Sequence, residues 1–367
     1  MEQPTRLSND GPPAIVGIVG AGTMGAGIGQ VALEAGSEVV FYDVDEATVD
    51  AGRERIRDGL ARRAGKLAMD PVATKDWIAA RLERIRHVPT VDALADEAGL
   101  VIESALEDLA LKRTIFRTLD EVASAEVILA TNTSALSVAA IAEATRRPER
   151  VIGLHFFNPA PVMALVEVVA APLADVAVVD RAAAIMTAWG KTPVVCADRP
   201  GFIVNRVNRP FTIEALRILE TGAASVTEID AAVRDGGFPM GPFELMDLTG
   251  IDVTLAAAAA IWEGLGRPER LRPSPIQADL VEAGHLGRKT GTGFYRYVGG
   301  ERVGESQRRA AAEGGTPPGP DAIRQRILDA IGAEARLALD EGVAPEDVID
   351  LALRLGAGHP HGPFESL

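Results

Sequence analysis

AIVGIVGAGTMGAG, residues 14–27, is a short apolar run that breaks into three spaced glycines. The run at 14–19 has the pattern of a buried parallel strand. It enters Gly20-Ala21-Gly22-Thr23-Met24-Gly25, and a helical segment at 26–35 follows and stops at Gly36. A second strand at 38–42 ends on Asp43, 23 residues after Gly20. Alone, G-x-G-x-x-G is weak; between a strand and a helix, with an acid at this distance, it is a dinucleotide fingerprint. Gly20 allows the tight turn, Gly22 lets backbone approach a pyrophosphate, and Gly25 lets helix and strand close up. Thr23 and Met24 sit at the helix N-terminus, where unpaired amides and the dipole favour anions. Asp43 suits ribose hydroxyls and repels a 2′-phosphate, and Val44 and Asp45 after it offer no arginine, so the cofactor is read as NAD rather than NADP. The plainer alternative is an ordinary strand–turn–helix.

Further strands are expected at 100–104, 127–131 and 193–197, with a helix at 107–122 between the first two. The fold class is α/β: a Rossmann-type, doubly wound, mostly parallel sheet, then an all-helical C-terminal domain. Thr131-Asn132-Thr133-Ser134 leaves a strand at the ligand-facing edge of such a sheet, which makes Asn132 and Ser134 site candidates; plain turn chemistry explains them equally well. Residues 46–87 read as one or two exposed helices carrying Arg53, Arg55, Arg57, Arg62, Arg63, Lys66, Arg81, Arg84 and Arg86. They form either a solvated face or a landing site for a phosphate-bearing ligand. From residue 202 the chain looks helical, with a kink expected at Pro210 and a helix at 225–234 that Thr227 can cap.

VIGLHFFNPAPVMALVEVV, residues 151–169, reads as two strands joined tightly through Asn158-Pro159-Ala160-Pro161. If they pair antiparallel about Pro161, His155 faces Glu167 with Cβ atoms roughly 4.5–5.5 Å apart. The carboxylate would then fix the imidazole tautomer and make the other ring nitrogen a base. A satisfied core histidine is the bland alternative.

The chain has 367 residues, a formal net charge of −15, 47% hydrophobic and 24% charged residues. That supports a packed core and argues against nucleic acid as the main partner, while leaving room for an anionic small ligand on a local basic patch. One cysteine, Cys196, excludes an intramolecular disulfide and fits a reducing, cytoplasmic setting. No metal is assigned, and the first residues read as neither signal nor transit peptide.

Gly-Pro-Phe-Glu occurs at 241–244 and again at 362–365. Gly222 and Ile229-Asp230 return as Gly342 and Ile349-Asp350, an offset of 120 residues that becomes 121 after one insertion. The expected divisions are a disordered tail 1–12, a nucleotide-binding domain 13–199, a helical domain 200–298, a linker 299–320 and a partial repeat of the helical domain 321–367. The repeat is expected to pack Ile327, Ile331, Leu337 and Leu351 on the first copy.

Seven motifs in order carry a resemblance: GAGTMGAGI (20–28), ESALEDLALK (103–112), TNTSALS (131–137), GLHFFNPAPVMALVEVV (153–169), DRPGFIVNR (198–206), GFPMGPFELMD (237–247) and GRKTGTGFY (287–295). From Ile15 to Tyr297 the chain resembles the L-3-hydroxyacyl-CoA dehydrogenases, including the 3-hydroxybutyryl-CoA dehydrogenases. The resemblance implies interconversion of (S)-3-hydroxyacyl-CoA and 3-oxoacyl-CoA with NAD, in fatty-acid β-oxidation or a related acyl-CoA pathway. It makes His155 the catalytic base and Glu167 its orienter. Ser134 falls at the substrate 3-oxygen near the nicotinamide, and Asn205 near the substrate carbonyl. It places Glu107, Lys112, Asn158 and Lys289 around NAD, puts Lys66 on the CoA, and implies a homodimer through the helical domain. The serine that the family carries just upstream of Lys66 has no clear counterpart. Competing readings are a sugar-acid or carnitine dehydrogenase of the same superfamily and a non-catalytic structural or NAD-binding protein. The intact HFFNP and the presence of His155, Glu167, Ser134 and Asn205 weigh against both.

Overall fold

The computed structural model describes residues 11–306 and 318–365. Residues 1–10 of the tail expected at 1–12, the part of the linker at 307–317 and the last two residues of the repeat lie outside the described residues. The chain divides into two units, Met1–Asp198 and Arg199–Leu367. Among the described residues no single helix is long and apolar enough to cross a membrane.

The first unit is built on eight strands: β1 Ile15–Val19, β2 Glu38–Tyr42, β3 Ile85–His87, β4 Leu100–Glu103, β5 Ile128–Thr131, β6 Val151–Phe156, β7 Leu165–Ala170 and β8 Thr192–Ala197. They lie in the order β3-β2-β1-β4-β5-β6-β7-β8. β1 to β6 run parallel, the chain reverses at the antiparallel β6–β7 pair, and β8 runs parallel to β7. Helices cover the sheet, so the central strands are near-continuous apolar runs; Val16, Ile18, Leu100, Ile102, Ile128 and Ile152 are fully buried. β3 corrects the expectation of helices throughout 46–87. The helices are Glu46–Lys66 and Pro71–Leu82, and the chain then returns to the sheet edge beside β2.

The second unit is mostly helical. In place of one kinked helix there are two, Val204–Val207 and Arg209–Glu220, separated at Asn208, and Pro210 sits in the first turn of the second. A first-turn proline removes only a donor that has no partner there anyway. Ser225, not Thr227, caps helix Val226–Arg234, in a capping box with Glu228. The linker expected to begin at 299 starts instead with a strand. β9 (Tyr295–Val298) and β10 (Glu301–Glu305) form an antiparallel hairpin. Asp247 fastens this hairpin to the helices by accepting from the amides of Phe294 and Tyr295, both at 2.9 Å, and the Tyr297 hydroxyl at 3.0 Å.

The repeat is visible in the contacts. Asp230 accepts the Phe243 amide at 2.9 Å, and Asp350 accepts the Phe364 amide at 2.9 Å. Each acid lies against the glycine of its Gly-Pro-Phe-Glu. A Cβ on Gly241 would fall 2.3 Å from the Asp230 Cγ, and one on Gly362 2.2 Å from the Asp350 Cγ. Helix Pro320–Asp340 packs on helices Arg209–Glu220 and Val226–Arg234. Ile327 and Ile331 are buried in that contact, whereas Leu337 and Leu351 are half-buried. Two ion pairs cross it reciprocally. Arg206 donates to Glu334 at 2.9 Å, and Arg326 to Glu214 at 3.0 Å. Arg326 and Glu334 stand where the repeat places the equivalents of Arg206 and Glu214, so the two copies meet about a local pseudo-two-fold, as in an isologous interface.

Candidate active site

The glycines of the β1 turn differ in what limits them. Gly20 has φ +98°, and a Cβ there would fall 2.6 Å from the Ser104 carbonyl oxygen; a Cβ on Gly25 would fall 1.8 Å from the Gly20 oxygen. A Cβ on Gly22 would meet nothing within 4 Å. Gly22 therefore answers to no protein neighbour, and its bare backbone leaves room for a pyrophosphate at the N-terminus of helix Thr23–Glu34, which it caps. Asp43, just past β2, accepts from the Ala21 amide at 2.7 Å and so ties the turn to the carboxylate expected to read the ribose. The residues present fit NAD.

At the carboxyl ends of β4 and β5 lies a buried charged cluster. Lys112 is 1% exposed; its ammonium is 2.7 Å from Glu103 and 3.3 Å from Glu107. Glu103 also accepts from the Thr131 hydroxyl and the Ala105 amide, both at 2.7 Å. Glu107 accepts from the Thr133 hydroxyl at 2.6 Å and the Ser134 amide at 3.0 Å. Burial raises the Glu107 carboxyl, but Lys112 and these two donors outweigh it and hold it below the usual range. Lys112 is thus sealed between Glu103, which ends β4, and Glu107. Asn132 accepts the Phe156 amide at 2.8 Å, which fixes the end of β6 one residue after His155.

The β6–β7 register pairs His155 with Glu167, as the sequence spacing requires. His155 Nδ1 lies 2.6 Å from Glu167 Oε2; His155 is 5% exposed and Glu167 fully buried. Facing a carboxylate, Nδ1 carries the proton, which leaves Nε2 as the basic nitrogen.

A cavity of about 570 Å³ opens between helices Thr23–Glu34 and Glu46–Lys66 and the proline loop after β6. Arg55, Arg62, Arg63 and Lys66 line it on one side and Asn158 to Val162 on the other. Three of the other basic residues of this region brace the fold: Arg53 donates to the Leu82 carbonyl at 2.9 Å, Arg81 stacks on Trp77, and Arg86 pairs with Glu97. Asn205 and Lys289 belong to the second unit. Asn205 lies in helix Val204–Val207, and Lys289 pairs with Asp252 at 2.6 Å.

Sequence reasoning left Glu103, Thr133 and Lys191 unassigned. An acid ending a buried strand was the signal for Glu103. Lys191, which donates to the Ala160 and Met163 carbonyls at 2.6 and 2.9 Å and so fastens the proline loop, gave no signal because its partners are about 30 residues away.

An imidazole held by a buried carboxylate on a sheet whose first turn fits a dinucleotide is the equipment of an NAD-dependent oxidoreductase acting on an alcohol or ketone. Residues 15–199 match the 3-hydroxyacyl-CoA dehydrogenase NAD binding domain, and residues 201–297 and again 323–367 match the 3-hydroxyacyl-CoA dehydrogenase C-terminal domain. The chain belongs to the 3-hydroxyacyl-CoA dehydrogenase family, whose NAD-dependent activity is its class. A 3-hydroxyadipyl-CoA dehydrogenase of Escherichia coli (strain K12) is 44% identical over 79% of this chain; the match spans only 62% of that longer protein. A 3-hydroxybutyryl-CoA dehydrogenase of Bradyrhizobium diazoefficiens is 42% identical over 78% of this chain and 97% of its own length. The crystal structure of an E. coli 3-hydroxybutyryl-CoA dehydrogenase superposes with a TM-score of 0.86 at 35% identity, over 96% of this chain and 90% of that one.

Proposed function

We propose that this chain converts a (S)-3-hydroxyacyl-CoA and NAD to a 3-oxoacyl-CoA, NADH and a proton, and the reverse, with His155 as acid/base. The buried His155–Glu167 pair at 2.6 Å carries the reading. In oxidation Nε2 of His155 takes the hydroxyl proton; NAD, held at the glycine turn, would supply the hydride acceptor for C3. Glu167 holds Nδ1–H and offsets the imidazolium charge that forms. Ser134 and protonated His155 donate to the developing charge on the 3-oxygen, and Asn205 meets the substrate carbonyl. Gly20, Gly22, Thr23, Met24, Gly25, Asp43, Glu107, Lys112, Asn132, Asn158 and Lys289 form or support the NAD site.

Lys66, with Arg55, Arg62 and Arg63, takes the CoA phosphates. A sugar acid or dehydrocarnitine carries no phosphate for those cations. The setting is cytoplasmic, and any homodimer through the helical domain uses a face other than the one helix Pro320–Asp340 covers. Light scattering tests the dimer, and a single-chain mass removes it. The activity test is NADH oxidation with acetoacetyl-CoA against dehydrocarnitine. Turnover of the thioester alone is expected, and turnover of dehydrocarnitine alone overturns the reading.

A further inference from the structure

The chain has five lysines against 32 arginines. Lys66 lines the basic cavity, Lys112 is sealed, Lys289 pairs with Asp252, and Lys75 is exposed. Lys191 has no part in the reaction described above, yet its half-buried ammonium is fully committed. It donates to the Ala160 carbonyl at 2.6 Å and to the Met163 carbonyl at 2.9 Å. Burial draws the ammonium below the usual lysine range, against the pull of Glu34. A compact ammonium with three donors can serve two carbonyls of one turn, whereas the planar guanidinium fork matches a carboxylate or a phosphate.

The turn that Lys191 holds is one wall of the cavity of about 570 Å³ in the first unit, and Arg55, Arg62, Arg63 and Lys66 stand on the other wall. Both walls are set on helix Thr23–Glu34. The basic helix Glu46–Lys66 meets it at Gly59, where a Cβ would fall 1.9 Å from Gln30 Oε1, and through Arg63 and Glu34 at 3.4 Å. The proline loop meets it at Gly27, where a Cβ would fall 3.3 Å from the Ala160 Cβ and from the Pro161 Cδ. Within the loop the Val162 and Met163 amides donate to the Pro159 carbonyl at 2.9 and 3.0 Å, which closes a turn. Lys191, between helix Val176–Ala188 and β8, ties that turn to the start of β8. The His155–Glu167 register is set outside the loop, by the β6–β7 ladder and by the bond from the Phe156 amide to Asn132 at 2.8 Å.

We propose that Lys191 is a positioning residue for the thioester. It holds the proline loop as the second wall of the cavity, and so sets the affinity for the phosphate-bearing end of CoA without entering the chemistry. The inference rests on the reading of that cavity as the CoA site.

The test is steady-state kinetics of the full chain on acetoacetyl-CoA and acetoacetyl-pantetheine, with Lys66→Ala assayed in parallel. Lys191→Met keeps the apolar stem and removes the donors. It should raise KM for acetoacetyl-CoA by about 10-fold, the order for losing one hydrogen bond to a charged group, with kcat and the KM for the pantetheine thioester unchanged. Lys191→Arg, which still donates to carbonyls, should restore most of the loss. If Lys66→Ala separates the two thioesters and Lys191→Met raises both KM values equally, or lowers kcat alone, the inference falls and the cavity remains the CoA site. If neither variant separates them, the cavity reading falls as well. Should Lys191→Met fail to fold, hydrogen exchange in the wild type decides. Free CoA should slow exchange at the Val162 and Met163 amides and pantetheine should not, and no protection by CoA overturns the second wall.

Discussion

Glu334→Gln should loosen the repeat from the first helical copy. Glu334 is 1% exposed and serves two cations: Arg206, fully buried, at 2.9 Å and Arg270 at 2.7 Å. Breaking a buried ion pair by removing one partner costs about 3–5 kcal/mol, because the other charge stays buried. Two features reduce that here. Glu341 still holds the two Nη atoms of Arg206, at 2.7 and 2.8 Å, and the Arg270 side chain is 41% exposed, so water screens it. A loss of about 2–3 kcal/mol remains, a large share of the roughly 5–15 kcal/mol that holds a domain folded. The pseudo-symmetric pair supplies the control. Arg326 is 48% exposed, so Arg326→Gln should cost at most about 1 kcal/mol although it breaks the equivalent contact. Urea unfolding followed by circular dichroism measures both variants, with NADH affinity as a check that the first unit is untouched. The double change R206M/E334L should regain part of the loss, since an apolar pair replaces a desolvated one. If E334Q costs no more than R326Q, burial is not what makes the first pair strong, and the argument fails.

His155→Gln should lower kcat by about 10²–10⁴-fold with NADH affinity retained, and normal turnover in steady-state assays would take His155 out of the mechanism. Asp43→Ala should weaken NAD binding and narrow the NAD/NADP preference. An unchanged ratio of the two dissociation constants would move the reading of the ribose to another residue. Lys66→Ala should raise KM for acetoacetyl-CoA and not for acetoacetyl-pantetheine; equal effects would remove the phosphate contact. Burial draws His359 down to about 4, against about 6.5 when unfolded, so its contribution to stability is complete above pH 6.5 and is lost as pH falls towards 4. At about 1.4 kcal/mol per pH unit the full span is worth about 3 kcal/mol. Asp230, pushed by burial up to about 7, works in the opposite sense between pH 4 and 7, so the measurement is the difference between wild type and His359→Gln in urea unfolding across that range. Parallel curves for the two proteins would refute the assignment.

The sequence by itself determined the elements whose cause is local. Strand, glycine turn, helix and Asp43 follow one another within about thirty residues, and steric limits on φ and on close approach act between near neighbours. The His155–Glu167 register was legible for the same reason, because a tight proline connection and a two-residue side-chain period leave one pairing that buries both strands. The repeat was legible as words, Gly-Pro-Phe-Glu twice. What it docks on was decided by packing, through partners such as Arg206 and Glu334 that are 128 residues apart. Tertiary structure alone sorted the basic residues of 46–87 into those that line a cavity and those that brace the fold. It sealed Lys112, which the resemblance placed around NAD, between two carboxylates, and it made a strand of residues 301–305. It also separated Arg206, buried and paired, from Arg209, buried and unpaired, three positions on in the same sequence. Desolvation and the supply of counter-charge depend on every element that closes around a group, and no run of neighbouring residues encodes them.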